Sequence, residues 1–392
     1  MNGTGPARHA LSEAAATLLP GPAETLLLKG CLDRSEAGRH ALDAWLAQQS
    51  DPVAALTRVP IKWLLPLVFH ACVHHHVTAA GSLVTVLKTA ALREELRIGS
   101  YRAIRRRVLH ALAAANLHPI VLKGAALSEL VYPHAALRHT HDVELLIPTS
   151  EWDQLDPALA PLGFSGAASS PGASRRELTH VSGLPLVLHR RLFRIAFYNA
   201  PQDNVWMRTE PATLDGIAVQ VLSPADMLVH ACGDALHSLS LGSCRWIVDA
   251  WFLLDRRPRL DWDAVARIAS ARHMALPLAL SLNYLRQDLG APVPETACAR
   301  LTAMAAQDRS VGPELALHAA RVAAGGLCQL MGRTRTVRGR AAILRHLLLP
   351  SVGVLSWATQ PRSPRLRAMH AQLFRVARYV GRRVSSAVPA RS

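Results

Sequence analysis

Two acidic residues, Asp142 and Glu144, stand two positions apart at the start of an apolar run that continues to Ile147. If this run is a β-strand, both side chains leave the same face of the sheet, because side chains alternate along a strand. Paired carboxylates on one face can hold a divalent metal ion, Mg²⁺ or Mn²⁺, that carries the phosphates of a nucleotide. Two solvated acids at the start of a strand would give the same pattern, so the pair alone does not decide its chemistry.

Lys123 and Gly124 follow a short β-prone run, Ile120 to Leu122, and precede an apolar segment, residues 125–131, that is typical of a helix. A glycine at such a turn allows a ligand to approach the backbone, and the N-terminus of the next helix offers N–H groups and the positive end of a dipole. Lysine adds a mobile cation suited to phosphate. This arrangement indicates phosphate binding, although a glycine between a strand and a helix is often only a turn.

The elements that must position these residues lie in the middle of the chain. We predict strands and helices there at residues 120–122, 125–131, 142–147, 151–163, 184–188 and 217–222, of which 125–131 and 151–163 are the helices. Leu- and Ala-rich segments with helical spacing stand on both sides. The predicted fold class is therefore α+β, a small mixed-sheet core flanked by N-terminal and C-terminal helical regions. Its predicted parts are an N-terminal helical region (1–116), the α/β core (117–222), a helical domain (223–300) and an Arg-rich helical tail (301–392).

The positive charge of the chain is concentrated in that tail. The formal net charge is +16, and residues 301–392 contain 15 arginines, no lysine and only two acidic residues. Such a segment could bind nucleic acid or another anionic surface. Arg-rich helices are also ordinary in a chain that uses arginine in place of lysine, so both interpretations stay open.

The cysteines and the apolar runs bear on where the protein works. The six cysteines are scattered and form no C-x-x-C pair, which argues against a disulfide framework or a zinc module. No secretory signal is visible at the start, and no apolar run reaches the roughly 20 residues that a membrane span needs. We therefore expect a cytoplasmic protein without a transmembrane segment.

Several short motifs follow one another in a fixed order around these residues: Leu122-Lys123-Gly124-Ala125-Ala126-Leu127, Tyr132-Pro133, Leu137-Arg138 and Asp142-Val143-Glu144-Leu145-Leu146-Ile147. The set resembles the uncharacterised bacterial nucleotidyltransferase family of the DNA polymerase beta superfamily, over about residues 20–295. The resemblance implies transfer of a nucleoside monophosphate from a nucleoside triphosphate, with Mg²⁺ or Mn²⁺, to an unknown hydroxyl or phosphate acceptor. Members of the family are sometimes met beside peptide-tailoring or polysaccharide genes, so a peptide, a glycan or a protein is the expected acceptor.

The resemblance also implies roles for single residues. Asp142 and Glu144 would be the catalytic metal ligands, and Lys123 with Gly124 would form the nucleotide cradle. Two further residues are expected at the nucleotide: Arg138 near the triphosphate, and His189, at the end of a strand, in contact with a phosphate or a hydroxyl substrate. A histidine at the end of a strand can equally be a residue of the core edge.

Two positions depart from the family pattern. The family has Asp-x-Asp where this chain has Asp142-Val143-Glu144, and the third acid, expected two residues before His189, is Val187. In the superfamily that acid activates the attacking hydroxyl or holds a second metal, and loss of a general base commonly costs about 10²–10⁴-fold in rate. Glu177 is the nearest acid upstream, but no spacing argument brings it to the site. Three hypotheses therefore stay open: a nucleotidyltransferase, a nucleotide-binding pseudoenzyme, and a nucleic-acid-binding protein that acts through its Arg-rich tail.

Overall fold

The computed structural model describes residues 19–58, 61–166, 174–193, 198–200, 204–234, 244–307 and 337. The predicted Arg-rich tail, 301–392, lies outside these residues except for 301–307 and 337. Its binding to nucleic acid or to an anionic surface therefore stays a prediction.

Among the described residues from 19 onwards, five helices precede the sheet, as the Leu- and Ala-rich sequence predicts. They are α1 (Pro22–Leu32), α2 (Glu36–Ala47), α3 (Pro52–Thr57), α4 (Leu65–His74) and α5 (Gly81–Ala114). Three of them, α1, α3 and α4, have a proline in the first turn, where the missing N–H group costs no hydrogen bond. A short 3₁₀ turn, Lys62–Leu64, leads into α4. The long helix α5 spans about 50 Å at 1.5 Å per residue, and it packs against α4 and β7, defined below.

Seven strands of the described residues form one mixed sheet. They are β1 (Ile120–Leu122), β2 (Val143–Leu146), β3 (Phe164–Ser165), β4 (Arg175–His180), β5 (Pro185–His189), β6 (Glu210–Leu214) and β7 (Ile217–Val221). The strand order is β3-β4-β5-β2-β1-β7-β6. The central strands β1 and β2 are antiparallel to each other, whereas β2 runs parallel to β5 and β1 runs parallel to β7. Between β1 and β2 lies helix α6 (Lys123–Leu130).

The predicted fold class is confirmed, with corrections to single elements. The helix predicted over 151–163 is instead a 3₁₀ turn, Thr149–Gln154, a short helix α7 (Leu155–Leu159) and a second 3₁₀ turn, Ala160–Leu162. Pro157 and Pro161 lie in this segment and cannot donate the backbone hydrogen bonds of a continuous helix. Three strands, β3, β4 and β6, were not predicted.

In the part of the chain that the structure describes up to residue 307, five helices follow the sheet: α8 (Pro224–Asp234), α9 (Arg245–Arg256), α10 (Trp262–Ala271), α11 (Ala275–Gln287) and α12 (Glu295–Gln307). Apolar side chains from both helical regions and from the sheet belong to one continuous core, which extends from Leu27 to Leu301. The helical regions and the sheet are therefore packed together. Among the described helices, none combines the length and the apolar character that crossing a bilayer requires.

Buried ion pairs fix α5 against the sheet. Arg105, on α5, is only 5% exposed. Its guanidinium donates to both carboxylate oxygens of Asp215, at 2.6 and 2.9 Å, and to Glu129 at 2.8 Å. Asp215 lies in the β6–β7 turn and Glu129 lies on α6. The ion pairs thus fix the position of α6 relative to the sheet. The first residue of α6, Lys123, belongs to the candidate site described below.

Candidate functional site

The turn from β1 into α6 is strained at Lys123. This residue has a φ angle of +44°, in the left-handed region that a side chain disfavours. Backbone strain of this kind costs about 1–3 kcal/mol and tends to occur at functional sites. The turn brings the ammonium group over the sheet, where Lys123 Nζ lies 3.1 Å from Glu144 Oε2 on β2.

Gly124 has a packing reason to be glycine, which sequence reasoning missed. Its φ is not positive, so the left-handed residue of this turn is Lys123. A methyl group on Gly124 would overlap Nη1 of Arg138 and would lie 3.0 Å from Cγ2 of Thr140. The glycine therefore admits the Arg138 guanidinium, which is a different role from the approach of a ligand.

Glu144 is a buried carboxylate held between the ammonium group of Lys123 and the imidazole of His189. Besides Lys123, Glu144 contacts His189, whose Nε2 lies 2.9 Å from Glu144 Oε2. Val187 on β5 pairs with Glu144 across the sheet, and His189 lies two residues further along the same strand. Burial raises the pKa of Glu144, but the Lys123 charge and the His189 hydrogen bond outweigh it, so the pKa lies well below its ordinary value. Glu144 is thus ionised and oriented before any ligand binds.

Asp142 lies one residue before β2, on the same edge of the sheet as the Lys123 turn. Its carboxylate is 3.6 Å from Nε2 of His141. Burial and the neighbouring charge of Glu144 raise the pKa of Asp142. The two acids therefore interact electrostatically, as paired metal ligands would. Within the described part of the chain, no group of three or more His, Cys, Asp or Glu side chains is arranged to hold a metal.

The position expected to carry the third acid is apolar and buried. Val187 is 2% exposed and is paired with Glu144 across the β2–β5 ladder, so the two residues share a face of the sheet. On the other side of Val187, the β4–β5 pairing places Glu177 directly opposite it. Glu177 is exposed and forms an ion pair with Arg175 at 2.9 Å. The strand pairing supplies the geometric link between Glu177 and the site that spacing along the sequence did not reveal.

Arg138, expected near the triphosphate, is engaged in a buried network. Its guanidinium donates to both carboxylate oxygens of Asp249 on α9, at 2.7 and 2.8 Å, and the hydroxyl of Tyr132 donates to the same carboxylate at 2.6 Å. Arg138 is only 7% exposed. It lines a small cavity together with Lys123 and His230. Direct contact with a nucleotide would require this ion pair to open, and the structure gives Arg138 a role in supporting the Gly124 turn.

Four residues that sequence reasoning did not select lie beside Asp142: Trp63, His139, His141 and Arg245. His139 and His141 are visible in the sequence, because they lie three residues and one residue before Asp142. Trp63 and Arg245 come from the 3₁₀ turn before α4 and from the first residue of α9, so only the folded chain brings them here. The charge of Arg245 acts on both His141 and Asp142.

Comparison with known proteins found a match to a protein family. A family model described as an uncharacterised nucleotidyltransferase matches residues 49–290, more than half of the chain. The matched region contains the whole sheet, the Lys123 turn and both acids. No curated protein and no solved structure matches the chain.

Proposed function

Since the chain belongs to the uncharacterised nucleotidyltransferase family, we propose that it transfers a nucleoside monophosphate from a nucleoside triphosphate to a hydroxyl or phosphate acceptor. We also propose that this family is related to the DNA polymerase beta superfamily. The mixed sheet and the two acids at the start of β2 support this relationship. The observation that carries the proposal is the meeting of Lys123 with Glu144 beside Asp142, at the start of α6. A cation, a helix N-terminus and two carboxylates are the groups that phosphoryl transfer needs for positioning and charge compensation.

The acids fit one divalent ion that arrives with the nucleotide. Mg²⁺ is commonly bound by one or two carboxylates together with substrate phosphates and water, and Asp142 and Glu144 supply two carboxylates at one sheet edge. They would hold Mg²⁺ or Mn²⁺, which when bound offsets the negative charge that develops on the phosphates. Val187 offers no ligand for a second ion.

The other side chains orient the reacting groups. Lys123 would turn its ammonium from Glu144 towards a phosphate oxygen, and the flexible lysine stem allows this change. His189 would keep Glu144 in position through its 2.9 Å hydrogen bond. Glu177, on the same face as Val187 and exposed, is the residue we propose to take the proton of the acceptor hydroxyl.

A second candidate function is nucleotide binding without transfer. The specific observation in its favour is Val187, which is buried and apolar at the position where the superfamily has its third acid. A pseudoenzyme of this kind would bind a nucleoside triphosphate through Lys123 and the two acids but would not release pyrophosphate.

Isotope labelling separates these functions. The full-length protein is incubated with each of the four ribonucleoside triphosphates, labelled on the α- or the γ-phosphate, with Mg²⁺ or Mn²⁺ and with peptide, glycan or protein acceptors. Nucleotidyl transfer moves the α-label to the acceptor and releases pyrophosphate, whereas phosphoryl transfer would move the γ-label. Asp142→Asn is expected to abolish α-label transfer. Binding measured by calorimetry without any transfer would favour the pseudoenzyme, and absence of both at millimolar nucleotide would reject both functions.

A further inference from the structure

Three nearly parallel aromatic rings line the sheet edge beside Asp142. The ring centroids of Trp63 and His139 are 4.3 Å apart, and those of Trp63 and His141 are 6.2 Å apart, each pair with an interplanar angle of 21°. The His139 and His141 rings are 5.7 Å apart at the same angle. We call Trp63, His139 and His141 the aromatic platform. Its outermost ring is His141, whose side chain is 48% exposed.

The His139 ring of the platform is held in place by the buried carboxylate of Glu94. His139 Nδ1 lies 2.7 Å from Glu94 Oε2, and the other oxygen of Glu94 accepts a hydrogen bond from the backbone N–H of Thr140 at 3.1 Å. Glu94 is itself buried on α5 and also receives Arg97 at 2.6 Å. The second ring nitrogen of His139, Nε2, is buried and has no hydrogen-bond partner. A ring system fixed in this way needs no reordering when a flat ligand binds, which lowers the entropic cost of binding.

Two cations stand over the platform. Lys62 Nζ lies 4.4 Å from the centroid of the Trp63 ring, and Arg245 Cζ lies 5.9 Å from it. Throughout the ranges that the structure describes, neither cation has a carboxylate within the 4 Å of a salt bridge. Like charges gathered over one ring repel each other, so an anion that enters between them is stabilised. Both side chains are long, and Lys62 can leave the ring face when a ligand arrives.

The platform adjoins the two acids. His141 directly precedes Asp142, with Nε2 3.6 Å from its carboxylate, and Arg245 acts electrostatically on both. One edge of the sheet thus offers a phosphate-binding turn, a pair of carboxylates, two cations and an aromatic surface. A ligand that combines a polyphosphate with a flat aromatic group matches these features, because the cations suit its phosphates and the aromatic surface suits its ring.

We propose that the base of the nucleoside triphosphate stacks on the aromatic platform, against Trp63 and His141, while Lys62 and Arg245 turn towards its phosphates. This rests on the proposed function and assigns it a base-binding subsite. Stacking accepts any base, because every base has a π-face. The platform therefore contributes affinity for nucleotides as a class.

The test compares ligands that differ only in the base. Calorimetry measures the binding of the four ribonucleoside triphosphates and of ribose 5-triphosphate, which lacks a base, to the full-length protein with Mg²⁺. Stacking on an aromatic side chain contributes roughly 5- to 150-fold in affinity per base. We expect the nucleotides to bind that much more tightly than ribose 5-triphosphate. Trp63→Leu should remove most of this preference, and Trp63→Phe should retain it.

Matched variants keep the outcome interpretable. Trp262→Leu removes a partly buried tryptophan from α10 and should leave the preference unchanged. His141→Ala alters a half-exposed side chain, so it tests the platform even if Trp63→Leu does not fold, and it should also reduce the preference. Equal binding of nucleotide and ribose 5-triphosphate by the unmodified protein, or an unchanged preference in both platform variants, would overturn the platform and leave nucleotidyl transfer standing. If no nucleotide binds at all, both proposals fail together.

Discussion

Gly124→Ala tests whether the glycine of the strand-to-helix turn serves packing or ligand approach. The added methyl group would overlap Arg138 Nη1, whose guanidinium is fixed by Asp249 at 2.7 and 2.8 Å. If Arg138 shifts within this pair, overpacking costs about 1–3 kcal/mol. If the pair breaks, Asp249 becomes an uncompensated buried charge and the cost rises to about 3–5 kcal/mol. We therefore expect the free energy of unfolding to fall by at least 1 kcal/mol.

Urea unfolding of the unliganded protein measures this effect, and Gly99→Ala is the matched control. Gly99 lies inside α5, where an added methyl group meets no atom within 4 Å. Alanine is the better helix former by about 0.5–1 kcal/mol, so the control should gain stability. Gly124→Ala with unchanged unfolding but weaker nucleotide binding would refute the packing argument and return the glycine to the role that the sequence predicted.

Three further predictions concern the strained turn, the missing acid and the α5 ion pairs. Lys123→Gly should be more stable to urea than Lys123→Ala by about 1 kcal/mol, because only the alanine variant keeps the left-handed strain; the ordinary helix order, alanine above glycine, would show that no strain exists. Val187→Asp should increase nucleotide transfer and should lower the melting temperature without metal, with recovery in Mn²⁺; equal destabilisation with and without Mn²⁺ and no gain in transfer would exclude residue 187 from the site. Burial raises the pKa of Glu129, but hydrogen bonds from Arg102 and Arg105 outweigh burial, so the pKa is lowered in the folded protein. The carboxylate therefore stabilises the fold when the pH is above the pKa that it has in the unfolded chain. That contribution is lost as the pH falls through the lower pKa of the folded protein. Glu129→Gln should thus lose stability at neutral pH and show a flatter decline below about pH 4.5 in urea titrations, and a decline as steep as in the unmodified protein would contradict this.

Of the four predicted strands, β1, β2 and β5 are mostly buried apolar runs, whereas β7 alternates between half-buried and exposed residues before its buried end. Their predicted ends agree with the observed ends to within one residue. β6 was missed although Asp215-Gly216 is a strong hairpin signal, and both residues have the positive φ angles, +53° and +81°, that such a turn needs. β4 was missed because Arg175, Arg176 and Glu177 give it no apolar alternation. β4 is a strand because it pairs with β5, and no local sequence pattern shows that pairing.

In the site as well, residues on consecutive elements could be predicted, whereas residues brought together by packing could not. Lys123, Asp142 and Glu144 were predictable as neighbours because β1, α6 and β2 follow one another in the chain. The buried ion pair of Arg138 with Asp249 was not predictable, because Asp249 lies 111 residues away on a helix whose approach no local pattern shows. Trp63 and Arg245 reach Asp142 only through the packing of both helical regions on the sheet, so no spacing could have selected them.

The ion pair between Lys123 and Glu144 constrains how the site can be used. The Lys123 ammonium lies 3.1 Å from Glu144 Oε2, so a phosphate that approached it would compete with Glu144 for its charge. Glu144 is buried, and a buried carboxylate that loses its cation is strongly destabilised unless another positive charge replaces it. In the function that we propose, a divalent ion arriving with the triphosphate would supply that replacement as Lys123 turns towards the phosphate. Until then, the Lys123 charge and the His189 hydrogen bond keep the pKa of Glu144 well below its ordinary value, so this carboxylate is ionised and in place before a nucleotide arrives.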